Sequence, residues 1–170
     1  MRHVCRTRAS LRSDALGGVS LRVRRTSRSG IDACAVEVAE ATPQPPRDFA
    51  AIDALLAAAE GRGEGDPRLP AAAARAARRA FLRLARAEAA VHGVADPRDV
   101  HFHEVGCADS IADTVCACAM MEYLCVERVV PSPLPIGRRV IHGAAHGPLP
   151  NPPPATLALV RGPWWGCMTL

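Results

Sequence analysis

Two histidines and two aspartates lie close together in the stretch HFHEVGCADSIAD, residues 101–113. His101 and His103 are two residues apart in a segment with strand character, so both imidazoles are expected on one face. Asp109 and Asp113 are four residues apart at the start of a predicted helix and share one of its faces. Imidazoles combined with carboxylates suit a borderline divalent ion such as Ni²⁺, Zn²⁺ or Fe²⁺. The alternative is that these residues are surface polar groups and a helix cap.

The predicted strand runs directly into the predicted helix, and Gly106 separates them. Open α/β sheets bind ligands at such junctions, where the helix N-terminus favours negative charge. The stretch therefore predicts a metal site or a nucleotide site. Glu104 is the candidate general base, although strand alternation places it on the face opposite the two histidines unless Gly106 permits a local twist.

A second polar cluster surrounds a segment rich in glycine and proline near the end of the chain. His142 and His146 flank a glycine-containing turn, and Arg138 precedes them. Backbone N–H groups, imidazoles and a guanidinium can together hold a phosphate, which makes these three residues candidate ligand-binding groups. The alternative is a proline-rich surface loop whose histidines are solvated.

The elements that would position these groups alternate between short strands and helices. Alternating Val19, Leu21 and Val23 predict the first strand of a hairpin, and two helices follow, of which the second is rich in alanine. The order β-β-α-α-β-α-β-β-α predicts an α+β (mixed α/β) fold with an N-terminal β-hairpin, Ala-rich helices and a short mixed sheet. The predicted elements are strands over 19–23 and 31–38, helices over 49–59 and 70–91, a strand over 100–105, a helix over 109–124, strands over 127–130 and 138–142, and a helix over 155–160.

Composition excludes several classes of protein. The chain has 170 residues, of which 49% are hydrophobic, so a disordered or fibrous protein is excluded. The 21 basic and 17 acidic residues leave a net charge of +4, and the few aromatic residues do not interleave with arginine, which argues against nucleic-acid binding. No apolar run is long enough to span a membrane. Every basic residue is arginine, which excludes a lysine nucleophile and a P-loop lysine.

The seven cysteines are odd in number and contain no C-x-x-C pair, and the N-terminus has no apolar signal-peptide core. A secreted disulfide framework and a zinc ribbon are therefore not expected. We expect seven free thiols in a cytoplasmic protein.

Four longer stretches carry a resemblance to a known family. They are AEAAVHG, HFHEVGCADSIADTV, VVPSPLPIGR and HGPLPNPPPATLALVRG, and the hairpin VRRTSRSGIDACAVEV adds to them. Together they resemble the nickel insertion protein of nickel-pincer cofactor biosynthesis, the LarC family. The resemblance covers roughly residues 16–163, and the HFHEVG–DSIAD block is its most specific part.

The resemblance implies a protein that binds Ni²⁺ and delivers it to pyridinium-3,5-bisthiocarboxylic acid mononucleotide, producing the pincer cofactor of lactate racemase and its relatives. The family reaction is a CTP-dependent metal insertion, with CTP accompanied by a divalent ion, and is classed as a chelatase among the lyases. On this basis His101, His103, Asp109 and Asp113 would hold the metal and Glu104 would act as base. His142, His146 and Arg138 would bind the substrate's phosphate.

The resemblance also sets an expectation for organisation. Residues 1–16 form an unmatched Arg-rich segment, 17–163 the central domain and 164–170 an unmatched tail, in a family whose members are about twice as long. We therefore expect a central part of a family member, inactive alone and associating with itself through an open sheet edge and through Trp164 and Trp165. The alternative functions are a non-catalytic metal-binding module or fragment that needs a separately encoded partner domain, and a metal-free structural domain.

Overall fold

The computed structural model describes residues 19–40, 42, 45–61, 69–103, 105–130, 137, 139–143, 146–160 and 168–169. Four α-helices, one 3-10 helix and three antiparallel strand pairs lie in these ranges, which confirms the predicted α+β class. Glu104, Arg138, Trp164, Trp165 and residues 1–16 lie outside the described residues. In chain order the elements are β1 (Val19–Arg28), β2 (Ile31–Glu40), α1 (Phe49–Ala59), α2 (Ala71–His92), the 3-10 helix (Pro97–Asp99), α3 (Ala108–Tyr123), β3 (Arg128–Val129), β4 (Val140–Gly143), β5 (Gly147–Pro150), α4 (Pro154–Val160) and β6 (Met168–Thr169).

The N-terminal hairpin forms as predicted but is longer than its sequence alternation indicated. Strands β1 and β2 pair over ten residues each, and the two-residue turn places Ser29 and Gly30 at positive φ. This is the turn conformation that matches the twist of two antiparallel strands. The hairpin's outer face carries ion pairs such as Arg24 to Glu37, at 2.6 Å. Val19 is buried in the helical core, and Leu21 packs against that core.

Helix α2 is the central element of the core and packs against α1, α3 and α4. Its buried face is made largely of alanine, and Ala74, Ala77 and Ala85 are completely inaccessible to solvent. Alanine has the highest helix propensity of the amino acids. Its small side chain also lets a neighbouring helix approach closely. The larger side chains of the neighbouring helices, including Ile52, Leu56 and Val115, fill the remaining space and are fully buried.

Within the described part of the chain, no helix is both long and apolar enough to cross a membrane.

The segment after the 3-10 helix is anchored to the start of α1 rather than to a sheet. Phe49 N donates to the Val100 carbonyl at 3.2 Å, and Arg47 N donates to the Gly106 carbonyl at 3.0 Å. Asp48 forms an isolated antiparallel bridge with His101. These contacts hold both ends of the segment that carries His101 and His103.

Three sequence predictions need correction here. The strand predicted over 100–105 is wrong, because the segment pairs only at the His101 bridge before the chain turns at Gly106. The helix predicted over 109–124 begins one residue earlier, at Ala108, and has Cys107 as its N-cap. The described strands form three separate antiparallel pairs, not one mixed sheet, because none of the three pairs extends to a third strand.

Gly106 is the residue on which this anchoring depends most directly. A Cβ at this position would overlap the carbonyl oxygen of Arg47 and lie 2.8 Å from its backbone nitrogen. We expect Gly106→Ala to lower the free energy of unfolding by about 2 kcal/mol, because backbone atoms cannot move aside as a flexible side chain can. Urea unfolding followed by circular dichroism measures this, with Cys107→Ala as the control. Equal stability of Gly106→Ala and wild type would contradict the close approach.

Candidate functional site

The histidines of the 101–113 stretch lie on the face that the sequence predicted. Val100 and Phe102 are 3% and 4% exposed, whereas His101 and His103 are exposed. Phe102 packs against Phe81 of α2, with ring centroids 6.2 Å apart, and this contact fixes the alternation. The side chains therefore alternate as in a strand even though no regular strand forms.

Three imidazoles from distant parts of the sequence meet at the C-terminal end of α2. The ring of His146 lies 5.0 Å from that of His103 and 5.4 Å from that of His92, measured between centroids. We call His92, His103 and His146 the imidazole cluster. His146 lies in the β4–β5 turn, His103 in the anchored segment and His92 in the last turn of α2. Three elements therefore converge at one exposed position.

The surroundings of the imidazole cluster favour positive charge. Glu88, one turn before His92 on α2, has its Oε2 atom 3.4 Å from the Nε2 atom of His92. The C-terminal end of a helix carries a partial negative charge from its free carbonyl groups. Gly93 ends the helix in the left-handed conformation, with φ of 68°. A carboxylate and a helix C-terminus thus lie beside His92, one member of the imidazole cluster.

The remaining predicted ligands are placed elsewhere or engaged locally. His142 is exposed in β4, opposite Pro148. Asp109 is exposed and accepts a hydrogen bond from the backbone N–H of Ser110 at 2.7 Å. Asp113 is exposed one turn further along α3. As the described residues stand, no three His, Cys, Asp or Glu side chains are arranged to hold a metal ion. The four-residue metal site predicted from the sequence therefore stays a prediction, as do the roles of Glu104 and Arg138.

His92 is the residue that sequence reasoning missed. The sequence analysis gave it no role, although it lies in AEAAVHG, one of the stretches that carry the family resemblance. The sequence signal available for His92 was its position at the predicted end of a long helix, directly before Gly93. Nothing in the sequence placed it beside His146, which is more than fifty residues away.

Burial favours the neutral thiol form of two cysteines on α3. Burial, with a smaller contribution from the Asp113 carboxylate, raises the pKa of the Cys116 thiol to about 11. Burial also raises the pKa of the Cys118 thiol. The described cysteines, all of them free, are Cys34, Cys107, Cys116, Cys118 and Cys125. Cys5 and Cys167 lie outside the described residues, and the seven free thiols stay a prediction.

The fold and the site together define an α+β domain that carries an exposed imidazole cluster. The family model described as nickel insertion protein matches residues 3–168. This chain belongs to the nickel insertion protein family.

Three relatives, each provisionally named a nickel insertion protein, illustrate the match. Those of Pelobacter propionicus, Geobacter metallireducens and Geobacter sulfurreducens are 43%, 46% and 45% identical to the chain over 143, 146 and 143 residues. Each match covers 84% of this chain and 34% of the relative, so the chain spans about a third of the length of these relatives. No solved structure matches.

The rates at which the cysteines are alkylated test the effect of burial on the thiol pKa values of α3. At about pH 8 we expect iodoacetamide to alkylate exposed Cys34 and Cys125 well before Cys116 and Cys118, because only the thiolate reacts and burial disfavours it. Peptide mass spectrometry over time gives the order. Asp113→Asn should speed the reaction of Cys116 only slightly, since burial is the larger cause of its raised pKa. Alkylation of Cys116 as fast as that of Cys34 would contradict this order.

Proposed function

We propose that this chain holds Ni²⁺ at the imidazole cluster and passes it to an organic acceptor. The observation that carries the proposal is the contact of His146 with both His92 and His103 in a member of the nickel insertion protein family. Imidazole is a common ligand for nickel. The cargo ion is a substrate of the reaction and not a permanent part of the protein.

The two ring distances measured from His146 are each compatible with a pair of imidazoles on one ion. A coordinating imidazole nitrogen lies about 2 Å from its metal, which places two rings on the same ion with centroids roughly 5 Å apart. The observed centroid distances of 5.0 and 5.4 Å fall in that range. Because no three donors converge as the side chains stand, binding requires the imidazoles to rotate. Exposed side chains do so within nanoseconds.

The chemistry of this site suits delivery more than storage. An exposed site made of a few imidazoles, with Glu88 beside it, leaves coordination positions open to water and to an incoming acceptor. Thiocarboxylate sulfurs are softer ligands than imidazole or carboxylate, and nickel transfer to them is therefore favourable. The negative end of α2 attracts the ion without adding a strong ligand.

The acceptor that we propose is pyridinium-3,5-bisthiocarboxylic acid mononucleotide, and the product is the nickel-pincer cofactor of lactate racemase-type enzymes. Nickel forms bonds to two sulfurs and one ring carbon, and the proton of that carbon must pass to a base. Glu104 remains our proposed base, on the sequence resemblance alone. The reaction would be that of a chelatase among the lyases, using CTP and a divalent ion. We also propose a cytoplasmic location, which the free thiols support.

The remaining sequence predictions define alternative ligand sets. His101, Asp109 and Asp113 are proposed to assist nickel entry or to complete its coordination together with His103. His142 and Arg138 are proposed to contact the acceptor's phosphate from the β4–β5 side. The set formed by His101, His103, Asp109 and Asp113 is the alternative to the imidazole cluster in a nickel titration.

Nickel titration by calorimetry on the full chain tests the cluster. We expect His92→Ala, His103→Ala and His146→Ala each to weaken Ni²⁺ binding at least about tenfold, because each removes one ligand of a small set. His142→Ala is the matched control: it removes an exposed histidine from the same hairpin and should change the affinity less than about threefold.

The same series separates the two ligand sets. A loss of affinity in His101→Ala, Asp109→Asn and Asp113→Asn, with His92→Ala and His146→Ala unchanged, would replace the cluster by the set predicted from the sequence. Unchanged binding in every one of these variants would refute the proposed nickel site altogether.

A second candidate function is a nickel carrier that hands its ion to a separately encoded domain. It is favoured by the exposure of all three imidazoles, which the ligands of a partner domain can reach directly. Nickel-loaded chain mixed with the acceptor and CTP separates the two functions: nickel found in the small-molecule fraction supports insertion, whereas nickel retained by a chain that binds it normally supports the carrier.

A further inference from the structure

A groove separate from the imidazole cluster lies between α1, α2 and the 3-10 helix. Its volume is about 550 Å³. The 3-10 helix contacts both α1 and α2, and all three elements contribute side chains to the walls. The lining combines five arginines with apolar side chains, which are those of Phe49, Leu82 and Pro97. Such a surface suits a partner that is apolar and negatively charged at the same time.

The arginines of α2 form a stripe along the helix. Arg75, Arg79 and Arg86 lie within about 60° of Leu82 around the helix axis, because each residue turns the helix by about 100°. From Arg75 to Arg86 the stripe rises by about 16 Å. The alanine face of α2 is buried against the other helices, so the arginine stripe remains on the exposed side. A stripe of three helical turns matches an elongated partner.

Two of the five arginines join α2 to α1. Arg78 binds Asp53 of α1 through two hydrogen bonds, Nε to Oδ1 at 2.6 Å and Nη2 to Oδ2 at 3.1 Å. Arg75 donates to Glu60, the C-cap of α1, at 2.8 Å. The hydrogen bond from Arg78 holds the pKa of Asp53 below its usual value, so the pair stays ionised at neutral pH. These two links fix the width of the groove.

The other three arginines give the groove its excess of positive charge. Arg79, Arg86 and Arg98 form no side-chain ion pair with any residue that the structure describes. The lining contains five arginines and only two carboxylates, those of Asp53 and Asp96. Asp96 is itself an acceptor for the backbone N–H of Arg98 at 2.8 Å. Unpaired guanidinium groups on a concave surface attract carboxylates and other anions.

The lining suits a protein segment better than a nucleic acid. Asp53 and Asp96 interrupt the positive surface, whereas the backbone of a nucleic acid carries a negative charge at every nucleotide. Phe49 is only 5% exposed, so its ring offers no face for base stacking, and no tyrosine or tryptophan is among the described lining residues. A peptide can place its carboxylates opposite the guanidinium groups alone.

We propose that this groove docks an acidic amphipathic helix of a partner protein, with Arg79, Arg86 and Arg98 as its anchoring residues. Arg79 and Arg86 are seven residues apart, a rise of about 10 Å, which equals the spacing of two carboxylates seven residues apart on a docked helix. Arg98 binds a third carboxylate from the 3-10 helix, and an aliphatic side chain of the partner packs on Leu82 and Pro97. The observations behind this surface do not involve the imidazole cluster.

Fluorescence anisotropy of dye-labelled probes, with the full chain and EDTA present, tests the proposal. The main probe is an alanine-rich helical peptide of about 15 residues, with leucines along one face and glutamates beside them. One control peptide has glutamine for every glutamate, and a second keeps the glutamates but has glutamine for every leucine. An oligothymidylate of equal negative charge is the nucleic-acid probe.

We expect the main probe to bind at least about tenfold more tightly than the peptide without glutamate, because the guanidinium groups then lack charged partners. It should bind at least about fivefold more tightly than the peptide without leucine, which leaves Leu82 and Pro97 uncovered. It should also bind more tightly than the oligothymidylate.

Charge-neutralising variants locate the surface. Arg79→Gln, Arg86→Gln and Arg98→Gln should each weaken binding of the main probe about threefold to fivefold. Arg28→Gln removes the same charge from the end of β1, outside the groove, and should change binding less than about twofold. All four side chains are exposed, and circular dichroism verifies that each variant folds.

Four outcomes would each overturn the docking surface: no binding of the main probe, equal binding of either control peptide, tighter binding of the oligothymidylate, or an equal effect of Arg28→Gln. Nickel titration of the Arg79→Gln, Arg86→Gln, Arg98→Gln triple variant should match wild type. Failure of the docking surface is thereby distinguishable from failure of the proposed nickel function.

Discussion

The alanine face of α2 determines where the candidate ligands of this protein lie. Ala74, Ala77 and Ala85 are completely buried, and their small side chains let neighbouring helices approach closely. Since this face is committed to the core, the rotation of α2 about its axis is fixed. Its arginine face must then lie beside α1 and the 3-10 helix, and His92 must emerge at the C-terminal end. One packing constraint thus positions both candidate sites.

The second constraint is the attachment of the 100–106 segment to the start of α1. Buried Val100 and Phe102 tie the segment to the core, and the Arg47–Gly106 hydrogen bond holds its far end. His103 is therefore presented to solvent by rigid neighbours although it lies in no regular element. A ligand on an anchored segment has fewer conformations to lose when an ion binds.

Local patterns predicted much of this fold because their causes are local. The hairpin, the capping of α1 by Asp48 and the extent of α2 follow from alternation, from an N-cap side chain and from helix propensity. The sequence predicted a common face for His101 and His103 for the same reason, and in the structure both are exposed. The strand over 100–105 was wrong because pairing with a partner depends on long-range contacts. Alternating burial can arise without them, as it does here.

The sites themselves were only partly predictable, since each is assembled by tertiary packing. His146 meets His92 and His103 only because the β4–β5 turn reaches the end of α2. No sequence pattern indicated that Arg98 would join Arg79 and Arg86 along one groove between α1, α2 and the 3-10 helix. Charge spacing along a helix shows which side chains share a face. It does not show what lies opposite them.

The two candidate sites use opposite electrostatic features of one helix. The C-terminal carbonyls of α2 and Glu88 favour a cation at the imidazole cluster, whereas unpaired guanidinium groups favour an anion in the groove. Arg86 and His92 are six residues apart, a rise of about 9 Å along the axis. At that spacing the like charges of a bound cation and the groove arginines are separated by roughly a Debye length. The groove arginines therefore oppose a cation at the imidazole cluster only weakly.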